Sequence, residues 1–166
     1  IAASGNNNKD LPTFPCSYEN VICVGAIDNR GELADFSNHG SKVDIVAPGE
    51  SIVSTYPSNV ESRVLRIKNY ETKRGSSQAA PYVAAAVANL KLLRPGLSND
   101  QVRSLLFRSS TKTNEKNKRF VKFGMLDMKE LLNLAAQEEK TPFVSPQIKS
   151  LTEIKFNASD RKFAFN

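Results

Sequence analysis

The sequence predicts an α/β fold in which a mostly parallel sheet is flanked by helices. Three observations carry this. Short β-branched apolar runs come first, helical stretches follow, and the runs lack the polar alternation of a strand with one face in water. Val21-Ile22-Cys23-Val24-Gly25-Ala26-Ile27 is almost continuously apolar, as a strand buried on both faces is. Asp28-Asn29-Arg30-Gly31 then has turn chemistry. Val43-Asp44-Ile45-Val46 predicts a second strand, stopped by Pro48-Gly49, and Ile52-Val53-Ser54-Thr55 a third. Residues 63–68 alternate basic and apolar side chains, the pattern of a half-exposed strand.

Helices take over after Ser77. Residues 78–93 are rich in Ala, with Val83, Val87 and Leu90 on one helical face, and Arg94-Pro95-Gly96 ends the run. That start puts Pro81 in the first turn, where a missing N–H costs little. Ser98-Asn99-Asp100-Gln101 has the form of a capping box opening a helix to about residue 108. Asp127 with Glu130 opens another to about residue 137. The expected order is strands first, then three helices. From about residue 140 the texture changes, which sets a boundary between residues 1–139 and 140–166. Thr141-Pro142 and Ser145-Pro146 read as linker. Ile154-Lys155-Phe156 and Lys162-Phe163-Ala164-Phe165 flank a polar stretch and form either a hairpin or an unstructured tail. Asn157-Ala158-Ser159 fits a glycosylation acceptor, a pattern too short to carry weight alone.

Composition narrows the function. Hydrophobic residues make up 40% and charged residues 24% of the 166 residues, which is globular material. No apolar run approaches the roughly 18 to 20 residues that a membrane span needs. The net charge of +6 reads as a solvated basic surface. The densest basic stretch, residues 112–122, reads as a loop without the interleaved aromatics of a stacking platform, so nucleic acid is not the expected partner. Cys16 and Cys23 make no C-x-x-C, and His39 is the one histidine, so zinc is not expected and buried free thiols are. The opening Ile1-Ala2-Ala3 has neither Met nor a basic leader. The expectation is a chain that begins inside a longer polypeptide.

The chemistry concentrates in Gly75-Ser76-Ser77-Gln78-Ala79-Ala80-Pro81. A serine at the start of an Ala-rich helix sits where unpaired backbone N–H groups and the helix dipole favour negative charge. An oxyanion forming beside it is stabilised, and Gly75 permits close approach of a substrate backbone. Taken alone, the segment fits a plain helix cap followed by packing alanines somewhat better, since Ser is a common cap.

Three other segments shift that balance. They are Ile1-Ala2-Ala3-Ser4-Gly5-Asn6, Phe36-Ser37-Asn38-His39-Gly40, and Val43-Asp44-Ile45-Val46-Ala47-Pro48-Gly49. Together with Gly75 to Pro81 they resemble the subtilisin-like serine proteases, in that family's order, from Ile1 to about Ala136. The resemblance implies the C-terminal part of a three-layer subtilisin-like domain and a serine endopeptidase activity. Ser77 matches the nucleophile, and Ser76 stands where the family usually has Thr. Asn6 matches the side-chain donor of the oxyanion hole, where an amide stabilises charge that appears only in the tetrahedral state. Ala3, Ser4 and Gly5 match one wall of the specificity pocket. No cofactor is implied for the chemistry. Structural calcium is possible in the complete domain, and residues 14–18 lie where some members bind a cation through backbone carbonyls. Metal ligands within this chain are not identifiable from the sequence.

The chain also departs from the pattern. The family's triad runs Asp, His, Ser, and this sequence starts after both partners. His39 lies in a different motif and reads as a surface loop residue, not as the base. A serine without a base is a poor nucleophile, so the N-terminal half of the same domain is the expected partner, with polypeptide as substrate. Gln78 stands where Met is common, Tyr82 where His is common, and Arg74 places a cation near the nucleophile. The competing reading is an inactive subtilisin-fold module used for binding or structure. An unrelated binding domain leaves the ordered motifs unexplained. The resemblance implies secretion, which nothing in this chain encodes.

Overall fold

A computed structural model describes residues 1–57, 69–113 and 121–137. The central sheet contains β1 (Ala2–Ala3), β2 (Cys23–Ile27), β3 (Ile45–Pro48) and β6 (Gly124–Met125), in that spatial order. Every pairing in it is parallel, with Ala3 opposite Val24, Val24 opposite Ile45, and Ile45 opposite Gly124. β4 (Ile52–Thr55) and β5 (Tyr70–Lys73) form a separate antiparallel pair. The helices are α1 (Ser76–Leu93), α2 (Asn99–Arg108) and α3 (Met128–Gln137).

Alternation along the central strands sorts the core into two layers. Val24, Ala26, Ile45 and Ala47 face α1 and pack with its Ala79, Val83, Ala86 and Leu90. Cys23, Ile27 and Val46 point to the opposite face, where they meet Cys16 and Val43. A strand whose neighbouring residues point to opposite faces, both covered, has to be apolar throughout, as β2 is. The small residues on α1 let it lie close against the sheet. Leu90 is fully buried there, and its truncation to Ala would cost about 2 to 5 kcal/mol.

The expected elements at 52–55, 78–93, 98–108 and 127–137 are all present. The Ser98 hydroxyl accepts from the Gln101 N–H, and the Gln101 side chain accepts from the Ser98 N–H. Asp127 caps α3 by accepting from the Glu130 N–H at 2.9 Å. Three expectations need correction. The strand order is not closed before the helices, because β6 follows α2 and completes the parallel sheet. Two residues carry no periodicity to reveal a strand, and β6 exists through its pairing with β3. Helix α1 starts at Ser76, so Pro81 lies inside it, beyond the first turn. A proline there removes the N–H that would bond the Ser77 carbonyl. β5 at residues 70–73 is an additional strand, pinned by its pairing with β4.

The third correction concerns the cysteines. Cys16 and Cys23 form a disulfide with Cα atoms 4.8 Å apart, and both residues are buried. The turn through residues 14–18 folds back beside β2, a proximity that the sequence spacing does not encode. The expected strand at 63–68, most of the basic loop at 112–122 and the whole of 140–166 lie outside the described residues.

Candidate active site

The carboxyl ends of parallel strands are where open α/β sheets place their ligands. Here β1 runs out into residues 4–9, β3 ends at Pro48-Gly49, and α1 begins at Ser76. Gly49 and Gly75 lock these ends together, with the Gly75 N–H donating to the Gly49 carbonyl at 2.8 Å. A Cβ on Gly49 would stand 2.5 Å from Ala26 Cβ and 2.8 Å from the Gly75 oxygen. The glycine is therefore a condition for the close approach of β2, β3 and the helix start. Gly75 has φ of 149°, and a Cβ there would crowd the Gln78 side chain at 2.8 Å and Asn6 Nδ2 at 3.2 Å.

Asn6 is held by Ser76. Its Oδ1 accepts from the Ser76 N–H at 2.8 Å and from the Ser76 hydroxyl at 2.9 Å. The same hydroxyl accepts from the Gly5 N–H at 3.0 Å. These bonds consume the oxygen end of the amide and leave Nδ2 with no acceptor among the described residues. Ser77, the next residue, is exposed, while Ser76 is fully buried. The Ser77 N–H likewise has no acceptor among the described residues, as expected in the first turn of a helix. No acidic side chain offsets the positive end of α1 in its first turn. The helix start thus presents an exposed hydroxyl together with two uncommitted N–H donors, one from the backbone and one from Asn6.

Ala3, Ser4 and Gly5 lie in the same segment as Asn6. Ser4 is buried, with its N–H bonded to the Val24 carbonyl and its carbonyl bonded to Asn38. Ala3 alternates with it, so its peptide groups face away from β2. His39 is half-buried and is tied through its N–H to the Lys9 carbonyl at 3.1 Å. Its imidazole hydrogen-bonds nothing among the described residues, and no described side chain bonds the Ser77 hydroxyl. Arg74 turns to Glu50, 3.9 Å away, and to the face of Phe36, 5.6 Å from the ring centre.

One contributor to the site lies in the Phe36–Gly40 segment that carries the resemblance, but the sequence assigns it no role. Asn38 is buried and bonds both flanks of Asn6, a role only the folded chain reveals. For cations the donor set is poor. No group of three or more His, Cys, Asp or Glu that could hold a metal occurs among the described residues. The cavity of about 180 Å³ beside residues 16–21 is lined by Glu19 and Asp44 but also by Lys42, Arg103 and Lys122. Three cationic side chains do not fit a divalent ion held there by carbonyls.

Comparison with known proteins identifies the family. The sequence profile of the Subtilase family matches residues 1–125. Subtilisin BL of Lederbergia lenta is 38% identical over 117 residues, covering 70% of this chain and 40% of the relative. Subtilisin DY of Bacillus licheniformis is 40% identical over 118 residues, covering 69% of this chain and 39% of the relative. Among solved structures, the patellamide maturation protease PatA superposes with a TM-score of 0.68 at 30% identity, covering 82% of this chain and 51% of that one. The chain thus spans well under half the length of the curated relatives quoted. With a parallel sheet ending at an exposed helix-start serine and a matching profile over most of its length, this chain belongs to the subtilase family.

Proposed function

We propose that this chain is the C-terminal part of the catalytic domain of a serine endopeptidase and that Ser77 is its nucleophile. The Ser77 Oγ attacks the carbonyl carbon of the scissile peptide bond, and its proton passes to a base. The carbonyl oxygen becomes an oxyanion, to which Asn6 Nδ2 and the Ser77 N–H donate. Collapse expels the amine, which takes that proton from the base, and leaves an acyl-enzyme on Ser77; water, losing a proton to the same base, then hydrolyses it and returns the Ser77 hydroxyl. The observation that carries this reading is the bonding of Asn6 Oδ1 to Ser76, which frees Nδ2 beside an exposed Ser77. Ala3, Ser4 and Gly5 form one wall of the pocket for the substrate side chain, contributing chiefly backbone.

The base and the Asp that orients it come from the N-terminal half of the same domain. Two features support such a partner. Nothing among the described residues pairs with the outer edge of β1. A groove of about 500 Å³ beside it is lined in part by Ile1, Ile22, Val87 and Val102. Helix α1 is also apolar on its outer side, where Ala84, Ala85, Ala88 and Leu92 are exposed. A helix that is apolar all round is one that is covered all round. The buried disulfide fits an oxidising compartment and hence secretion.

The test is covalent labelling of the full-length protein by a fluorophosphonate. Labelling that disappears in Ser77→Ala supports the enzyme. A folded full-length protein that neither labels nor cleaves casein would make it an inactive module of the same fold.

A further inference from the structure

The loop that carries Asn6 is held from one side by a single buried side chain. Asn38 is 4% exposed. Its Oδ1 accepts from the Asn7 N–H and from the Lys9 N–H, both at 3.1 Å. Its Nδ2 donates to the Ser4 carbonyl at 2.8 Å and to Thr13 Oγ1 at 3.2 Å. Its own N–H donates to the Gly5 carbonyl at 3.1 Å. Asn38 therefore reaches residues before and after Asn6 and leaves Asn6 itself untouched. Gly5 has to lack a side chain for this, since a Cβ there would stand 2.7 Å from Asn38 Nδ2.

Asn38 is fixed in turn from below. The Ser37 hydroxyl accepts from the Ala26 N–H of β2 and donates to the Asn38 carbonyl, each at 2.9 Å. A buried amide with all four of its side-chain bonds made costs little and moves little, whereas one left unpaired costs about 1 to 3 kcal/mol. The chain of contacts runs from the core strand β2 through Ser37 and Asn38 to both flanks of Asn6. From the opposite side, Ser76 grips the Asn6 amide.

We propose that Asn38 is a positioning residue for the oxyanion donor: it sets the distance of Asn6 Nδ2 from the reacting carbonyl and touches neither substrate nor Ser77. This rests on the reading of Asn6 as that donor. An oxyanion donor works only when held in place before the charge develops, so slack in its loop appears in turnover and not in substrate binding.

The experiment is a double-mutant cycle in the full-length protein, with kcat and KM measured for a peptide substrate. Asn38→Ala is expected to lower kcat at least tenfold with KM changed by less than about threefold. Combined with Asn6→Ala, it is expected to cause no further loss, because the group it positions is gone. Asn38→Asp, which keeps both acceptor contacts but cannot donate to Ser4 when ionised, is expected to behave in the same way and serves if the alanine variant does not fold. Equal losses with and without Asn6, or an Asn38 variant with unchanged kcat, overturns the proposal. An Asn6→Ala variant with unchanged kcat overturns the oxyanion reading itself, and the positioning role with it.

Discussion

The backbone N–H and the hydroxyl of Ser76 both donate to Asn6 Oδ1, at 2.8 and 2.9 Å. This pair divides the work of two adjacent serines. Ser76 is buried and committed, with its oxygen also accepting from Gly5, so it cannot be presented to a substrate. Ser77 is exposed and uncommitted.

It follows that Ser77→Ala in the full-length protein abolishes both fluorophosphonate labelling and peptide cleavage, while Ser76→Ala retains both at a reduced rate. The Ser76→Ala change removes the hydroxyl bonds to Asn6 and Gly5 but keeps the backbone bond to Asn6. A loss of about 1 to 3 kcal/mol in stability and a fall in kcat of about tenfold are expected. Labelling that survives Ser77→Ala would move the nucleophile elsewhere.

Asn6→Ala removes the free Nδ2 donor. Turnover is expected to fall about 100- to 1,000-fold, the magnitude known for the equivalent change in a subtilisin and taken over from that enzyme. If Asn6 is the proposed oxyanion donor, KM should stay within about threefold, because such a donor acts on charge that exists only in the transition state. Steady-state kinetics distinguish this from a binding role, which would raise KM at constant kcat.

The disulfide between Cys16 and Cys23 closes a short loop, the two cysteines being seven residues apart. By loop-closure entropy it contributes about 2 to 3 kcal/mol. Replacing both cysteines by Ser should lower the urea midpoint accordingly. Because both are buried, mild reductant applied to the folded protein and removed before urea is added should leave the wild-type midpoint unchanged. A variant as stable as the parent would show that the turn is held by its other contacts.

If the outer side of α1 is covered in the whole protein, a charge there is severely destabilising. Ala88→Glu is expected to lower the stability of the full-length protein by more than about 3 kcal/mol, whereas Lys129→Gln at an exposed position of α3 stays within about 0.5 kcal/mol. Equal, small effects in thermal unfolding would mean that this helix face is open to solvent.

Read alone, the sequence specifies the buried apolar strands at 23–27 and 45–47, the existence of three helices, and the caps of α2 and α3. Those features are local: the continuous apolar runs at 23–27 and 45–47, the Ser98–Gln101 capping box and the alanines after Ser77 act over a few residues. It also singled out Ser77 and Asn6, but only by likeness to a family's ordered motifs, since an exposed helix-start serine and a loop asparagine are common alone. The folded chain alone settles which separate segments meet, near or far along the sequence. It made β6 a strand by setting it beside β3, joined Cys16 to Cys23, and drew Ser76 to Asn6 across 70 positions. Asn38 belongs with these, since its bonds span 25 to 34 positions and no local pattern records them. The physical reason is the same in each case. A hydrogen bond or disulfide between remote segments follows from how the sheet twists and the helix docks, and neighbouring residues in the chain carry no trace of it.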